Sequence, residues 1–97
     1  MVFSTVGPVA RSLGLLRGAV GDHDGAIADL ELALSVSEKL HAAGWSARVR
    51  LDLADALRAA GSLAAGSPDR IEELRSVAER DAELLGMPLV AARARRH

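Results

Sequence analysis

The chain has no cysteine, tyrosine, asparagine or glutamine, and its only aromatic residues are Phe3 and Trp45. Without cysteine there are no disulfides and no thiolate chemistry, and the redox compartment is left open. The net charge is −1, so no field of one sign draws the molecule to nucleic acid or to an anionic membrane. No stretch matches the roughly 20 apolar residues of a membrane span. The most apolar region lies at the start, but Arg11 and Arg17 interrupt it and no basic region precedes it, so it does not read as a secretory signal. The expected location is cytoplasmic.

What is present is alanine and leucine. Alanine fills 19 positions and 49% of the chain is hydrophobic, with few β-branched residues, which is a helix composition. Arginine outnumbers lysine 11 to 1, which together with the missing amides reads as the codon bias of a high-GC bacterial genome. The 97 residues make one small domain, 1–97, burying about two-thirds of its unfolded surface. Stability of roughly 5–10 kcal/mol is then the expectation.

Apolar periodicity predicts four helices and a partial fifth. The first runs from Pro8, acceptable at a first helical position, to about Val20, with Val9, Leu13, Leu16 and Val20 as its inward face. Gly21 ends it, and Asp22-His23-Asp24-Gly25 is a turn whose aspartates can cap the next helix. The second, about Gly25 to Ala42, buries Ala26, Ile27, Leu30, Ala33, Leu34 and Leu40 and stops at Gly44. The third, Trp45 to Ala60, carries Val49, Leu53, Leu57 and Ala60 on one face. Ser62 to Ser67 is a loop, and Ser67-Pro68-Asp69 reads as N-cap, first helical residue and a carboxylate at the positive helix end. The fourth helix turns Ile71, Leu74, Ala78, Ala82 and Leu85 inward and breaks at Gly86. Pro88 to His97 opens a fifth. Three glycine-bearing breaks exclude a long coiled-coil seam.

Two unequal offsets organise these helices. Val9, Leu13 and Gly21 recur 40 residues on as Val49, Leu53 and Gly61, whereas Ala26, Ala33 and Leu40 recur 45 on as Ile71, Ala78 and Leu85. Five residues are therefore inserted between the halves of the second copy, at Ser62–Ser67. This is the pattern of a repeated helical hairpin: repeat one at 8–43, repeat two at 45–86 and a partial next helix at 88–97.

Leu13-Gly14…Gly21…Ala26…Leu30…Ala33-Leu34 resembles a tetratricopeptide repeat, with Gly14, Ala26 and Ala33 at the small positions where two helices cross. Arg17 stands where a large aromatic is usual and Glu38 where a repeat-ending proline is usual. The lost proline lets the second helix run on, giving a period nearer 40 than 34. The second copy matches at Leu53-Ala54, Leu57, Gly61, Ile71 and Ala78, with Arg75 replacing a large apolar residue. The resemblance implies an all-α fold of antiparallel hairpins, a right-handed α-solenoid fragment.

A narrower resemblance lies in Gly7-Pro8-Val9-Ala10…Leu13-Gly14-Leu15-Leu16, Gly44-Trp45-Ser46-Ala47-Arg48 and Glu83-Leu84-Leu85-Gly86-Met87. These look like the C-terminal helical repeats of bacterial LuxR-type ATPase regulators and multidomain adenylate or guanylate cyclases. The implied role is a sensory or oligomerisation arm. No phosphate-binding Gly-rich loop, cyclase domain or helix-turn-helix accompanies them.

The candidate chemistry is sparse. Asp22-His23-Asp24 holds ligand-type residues, but neighbours in sequence rarely converge on one ion and no second cluster has suitable spacing, so it reads as a capping turn and no metal is expected. Asp52 with Asp55, and Glu79 with Glu83, lie one turn apart near Arg48, Arg58, Arg75 and Arg80, and read as a salt-bridged solvent face. No serine sits in a nucleophile elbow. No catalytic residue, cofactor or enzymatic activity is therefore expected. Trp45 reads as a hairpin core residue.

Carried position by position, the resemblance puts Arg11, Leu15 and Gly18, then Arg48, Leu51, Asp55 and Arg58, on a concave partner-binding face. Three arginines around a leucine pair suit an acidic extended peptide or a partner's C-terminus. The expected function is a non-catalytic protein–protein interaction or oligomerisation module of a bacterial signalling or transcriptional regulator. The alternative is a DNA-associated regulator fragment whose basic end, Arg93, Arg95 and Arg96, contacts phosphates. With two repeats and a fraction, an apolar end should be exposed, so self-association is expected, by end-to-end packing or by exchange of the Pro88–His97 helix.

Overall fold

The computed structural model describes residues 2–61 and 68–96, with side chains from Val9 onward, and every regular element among them is an α-helix. The helices are α1 (Val2–Ala19), α2 (His23–Lys39), α3 (Ala43–Ala60), α4 (Pro68–Leu84) and α5 (Pro88–Arg96). The loop expected at Ser62–Ser67, with its cap at Ser67, lies outside the described residues. α1 starts ahead of Pro8, which sits inside it. None of the described helices is long and apolar enough to cross a membrane.

The chain turns at a regular interval. Gly21, His41, Gly61 and Gly86 all take positive φ, between 54° and 87°, and they stand 20, 20 and 25 residues apart. At the first, the Gly21 N–H donates to the Gly18 carbonyl at 3.1 Å and the Asp22 N–H to the Arg17 carbonyl at 2.8 Å. The same paired bonds close the turns at His41 and Gly86, satisfying carbonyls that the helix end would orphan. The expected stop at Gly44 is therefore wrong. α2 ends through His41, while Gly44 lies inside α3, where a Cβ would come 3.3 Å from the Met87 sulfur. Asp22 does cap α2, accepting the Gly25 N–H at 3.1 Å.

Each helix packs chiefly on its neighbours in sequence, and α3 is the one buried on nearly every side. Val49, Leu53 and Leu57 face α2 and α4 in a cluster with Leu30, Leu34 and Leu74, against which Trp45, Ile27 and Ile71 pack. Leu51 and Ala47 face the other way, toward Ala78 and Ala94. Burying each of these leucines contributes about 1.5–3 kcal/mol. α2 and α3 are also joined by a buried polar chain: Ser46 Oγ donates to Ser37 Oγ at 2.7 Å, which donates to the Leu34 carbonyl at 2.9 Å.

α1 is rotated from its expected setting. Val9, Leu13, Leu16 and Val20 are 52%, 42%, 62% and 75% exposed, and Ala10 and Gly14 face the core instead. The reason is the closeness of the α1–α2 crossing: a Cβ on Gly14 would stand 2.8 Å from Leu30 Cγ and 3.2 Å from the Ala26 carbonyl oxygen. Only a face of small residues fits so tightly, so the small stripe goes in and the large stripe out. Leu40 and Leu85, also expected inside, are both 49% exposed because each lies at a helix end where the chain turns away. α5, by contrast, is docked on α4 through Ala91 and Ala94, which are buried.

Two alanine substitutions test this crossing. Gly14→Ala should destabilise by about 1–3 kcal/mol, because Leu30 is packed too closely to yield. Gly18→Ala, whose Cβ would lie an ordinary 3.7 Å from the Ala26 Cβ, should stabilise by about 0.5–1 kcal/mol through helix propensity. Urea denaturation reads both; effects of the same sign would refute the packing.

Candidate functional site

α1, α3 and α5 have few backbone contacts with one another, yet one side chain of α3 joins all three. Asp52 follows Leu51 and precedes Leu53, both fully buried, and its side chain is only 3% exposed. Such a carboxylate must be paired and hydrogen-bonded. Arg11 Nε of α1 donates to its Oδ2 at 2.6 Å, and an Arg93 Nη of α5 donates to its Oδ1 at 2.9 Å. The same Arg93 nitrogen reaches Asp55 Oδ2 at 2.8 Å. Arg11 also lies over the Trp45 ring, 5.3 Å from its centroid, so its charge is held from two sides.

Burial works against the Arg93 charge, but the hydrogen bonds from Asp52 and Asp55 outweigh it and hold the guanidinium above its usual range. A raised pKa adds stability that is complete below the unfolded value and is lost only as pH rises through the folded one. The Arg93 contribution to this clamp therefore stays intact across neutral and mildly alkaline pH.

Between α1 and α3 lies an open cleft of about 190 Å³. Gly14, Gly18, Ala56 and Ala59 leave it room, Leu15 and Leu30 make it apolar, and His23, Asp52 and Asp55 are the polar residues at its edge. The seven predicted residues are placed unequally. Leu15 and Gly18 line the cleft, Asp55 lies at its rim paired with Arg93, and Arg48 and Arg58 are exposed on α3. Arg11 is turned to Asp52 and Trp45. Leu51 does not reach the surface at all, being fully buried against Ala78 and Ala94.

The expected solvent face also changes character. Asp52 is not solvated, and its partners Arg11 and Arg93 come from other helices, not from Arg48 one turn away. Glu79 does pair with Arg75 at 3.0 Å, as the spacing predicts, and Glu79 and Glu83 both take Arg95 of α5. Hydrogen bonding to Glu72 and Glu79 raises Arg75, and Arg75 in turn lowers Glu72. Most of this network is exposed, so it orients α5 more than it stabilises it. Sequence reasoning missed Arg93 and Asp52 as a pair. The available signal was an acid flanked by two leucines, Leu51 and Leu53, on the central helix.

Chemically, each oxygen of Asp52 accepts from one guanidinium, and the side chain is only 3% exposed. His41 lies apart, beside a polar hollow with Ser37, Glu38, Ser46, Arg50 and Asp81. Among the described residues no three His, Asp or Glu side chains are grouped to hold a metal ion. No family model, curated protein or solved structure matches the chain.

The clamp predicts non-additive stability. Arg11→Ala and Arg93→Ala should each cost about 1–2 kcal/mol, because the other arginine still pairs with Asp52. Together they orphan a buried carboxylate and should cost about 3–5 kcal/mol, with part recovered on adding Asp52→Asn. A strictly additive double variant in urea titration would contradict this.

Proposed function

We propose that the chain is a non-catalytic helical-repeat module that receives a protein or peptide partner in the cleft between α1 and α3. The observation that carries this reading is the cleft itself. At about 190 Å³ it falls below the roughly 300–1,000 Å³ of small-molecule sites, but one apolar side chain fits over its glycine and alanine floor. Arg48 and Arg58 are exposed on the same helix, so an extended segment with an apolar anchor and acidic flanks matches the surface.

The repeat reading has its own support. Antiparallel helices stacked on their sequence neighbours, turning every 20 residues with one insertion of five, are what two tetratricopeptide-like hairpins and a fifth helix would give. A place in a bacterial signalling or transcriptional regulator rests on the sequence resemblance at Gly44–Arg48 and Glu83–Met87. The DNA-binding alternative loses ground here: Arg93 is committed to Asp52 and Asp55, and Arg95 to Glu79 and Glu83.

Selection of displayed peptides on the chain provides the test. Enriched peptides should carry an apolar residue beside acidic ones. Ala59→Trp, which fills the cleft from an exposed position, should abolish their binding. Arg48→Glu with Arg58→Glu should weaken it at least tenfold, and the unfolding midpoint should hardly move. Peptides that bind the Ala59→Trp variant as well as the parent, or a failure to enrich any, would overturn the proposal.

A further inference from the structure

The outward face of α1 is the least explained surface of the molecule. Val9, Leu13, Leu16 and Val20 are all substantially exposed, and they follow one another at steps of four, three and four, the spacing of a two-helix seam. α2 extends the patch. Asp29 pairs with Arg17 of α1 at 2.9 Å, and Leu32, three residues on and 50% exposed, lies on the same side of α2. The four-residue stripe itself carries no charge, and the Arg17–Asp29 ion pair stands at its edge toward Leu32. The only charged residues in the first 20, Arg11 and Arg17, are turned to Asp52 and to Asp22 and Asp29. Ser12 and Ala19, small and exposed, stand beside the stripe.

We infer that this face pairs with the same face of a second copy, α1 antiparallel to α1. The stripe reads valine, leucine, leucine, valine, and its spacing is identical in both directions. A two-fold axis between Leu13 and Leu16 therefore sets Val9 opposite Val20 of the second copy and Leu13 opposite Leu16, each surface its own complement. A parallel pair would instead bring together the two turns holding Asp22 and Asp24; the antiparallel pair keeps them apart by about the 27 Å length of an 18-residue helix.

The area agrees. Five side chains exposed to this degree amount to about 500 Å² of apolar surface, at the upper range for a patch on a monomer. That is close to the apolar part of a homodimer interface of about 800 Å² per partner, some 65% of it non-polar. The other candidate occupant, the far end of a second copy, fits less well. Its exposed Leu89 shares a helix face with exposed Arg96, whose charge would be buried against the valine and leucine stripe, where the nearest carboxylates, Asp22 and Asp29, are already paired with Arg17. The seam lies across α1 from Gly18 and Leu15, so the dimer leaves both α1–α3 clefts open and does not depend on what they bind.

The full chain at about 100 µM in light scattering should have twice its 10.1 kDa monomer mass. Leu16→Glu should halve that mass with the helical circular dichroism unchanged, since Leu16 supports nothing in the fold; Leu89→Glu should leave the dimer intact. Because the chain has no cysteine, Leu13→Cys and Leu16→Cys can be made singly and mixed. The antiparallel seam predicts the mixed disulfide between the two variants in several-fold excess over either self-disulfide. A monomeric parent, dissociation by Leu89→Glu but not by Leu16→Glu, or self-disulfides in excess would each overturn the inference.

Discussion

The buried carboxylate of Asp52 is the constraint on which the rest of the structure depends. Helices that pack on their sequence neighbours leave alternate helices with little mutual contact, and the apolar contacts between them are small: Ala94 of α5 on Leu51 and Ala47, and Ala10 of α1 in the α3 cluster. Asp52 adds an electrostatic tie across all three. It is sunk among leucines on the central helix, where an unpaired charge would cost several kcal/mol, so the arginines of α1 and α5 must both come to it. That requirement sets the width of the face between these helices and the position of the cleft beside it.

The second constraint is size. α1 and α2 approach so closely that Gly14 has no room for a methyl group, and this decides which side of α1 goes in. The large residues then have nowhere to go but out. An exposed apolar stripe is a consequence of the tight hairpin and not a failure of the core, and the same geometry that builds the cleft on one side of α1 creates a sticky surface on the other.

The helices, their order and the longer spacing of the last interval, Gly61 to Gly86, were readable from periodicity and glycine, because these depend on local chemistry. Asp22 as a cap and Pro68 as the first residue of α4 followed from the same rules. What stayed hidden was long-range. Hydrophobic periodicity identified the stripe on α1 but not its direction, since a moment points toward the largest residues and the tight crossing selects the smallest. His41 was passed over because glycine is the usual residue for its backbone angle. Arg11 and Leu51 were placed on a binding face by their register, but Arg11 answers a carboxylate 41 residues away and Leu51 faces a helix that sequence spacing does not locate.

The functional reading therefore rests on surfaces and not on a reactive centre: a small-residue cleft beside the clamp, with Arg48 and Arg58 exposed on the same helix. Native-state hydrogen exchange on Asp52→Asn tests the role of the clamp most directly. The account predicts that amides of α1 and α5 lose about 1–2 kcal/mol of protection together while those of α3 keep theirs more nearly. Uniform loss across all five helices, or protection of α1 and α5 unchanged, would contradict it.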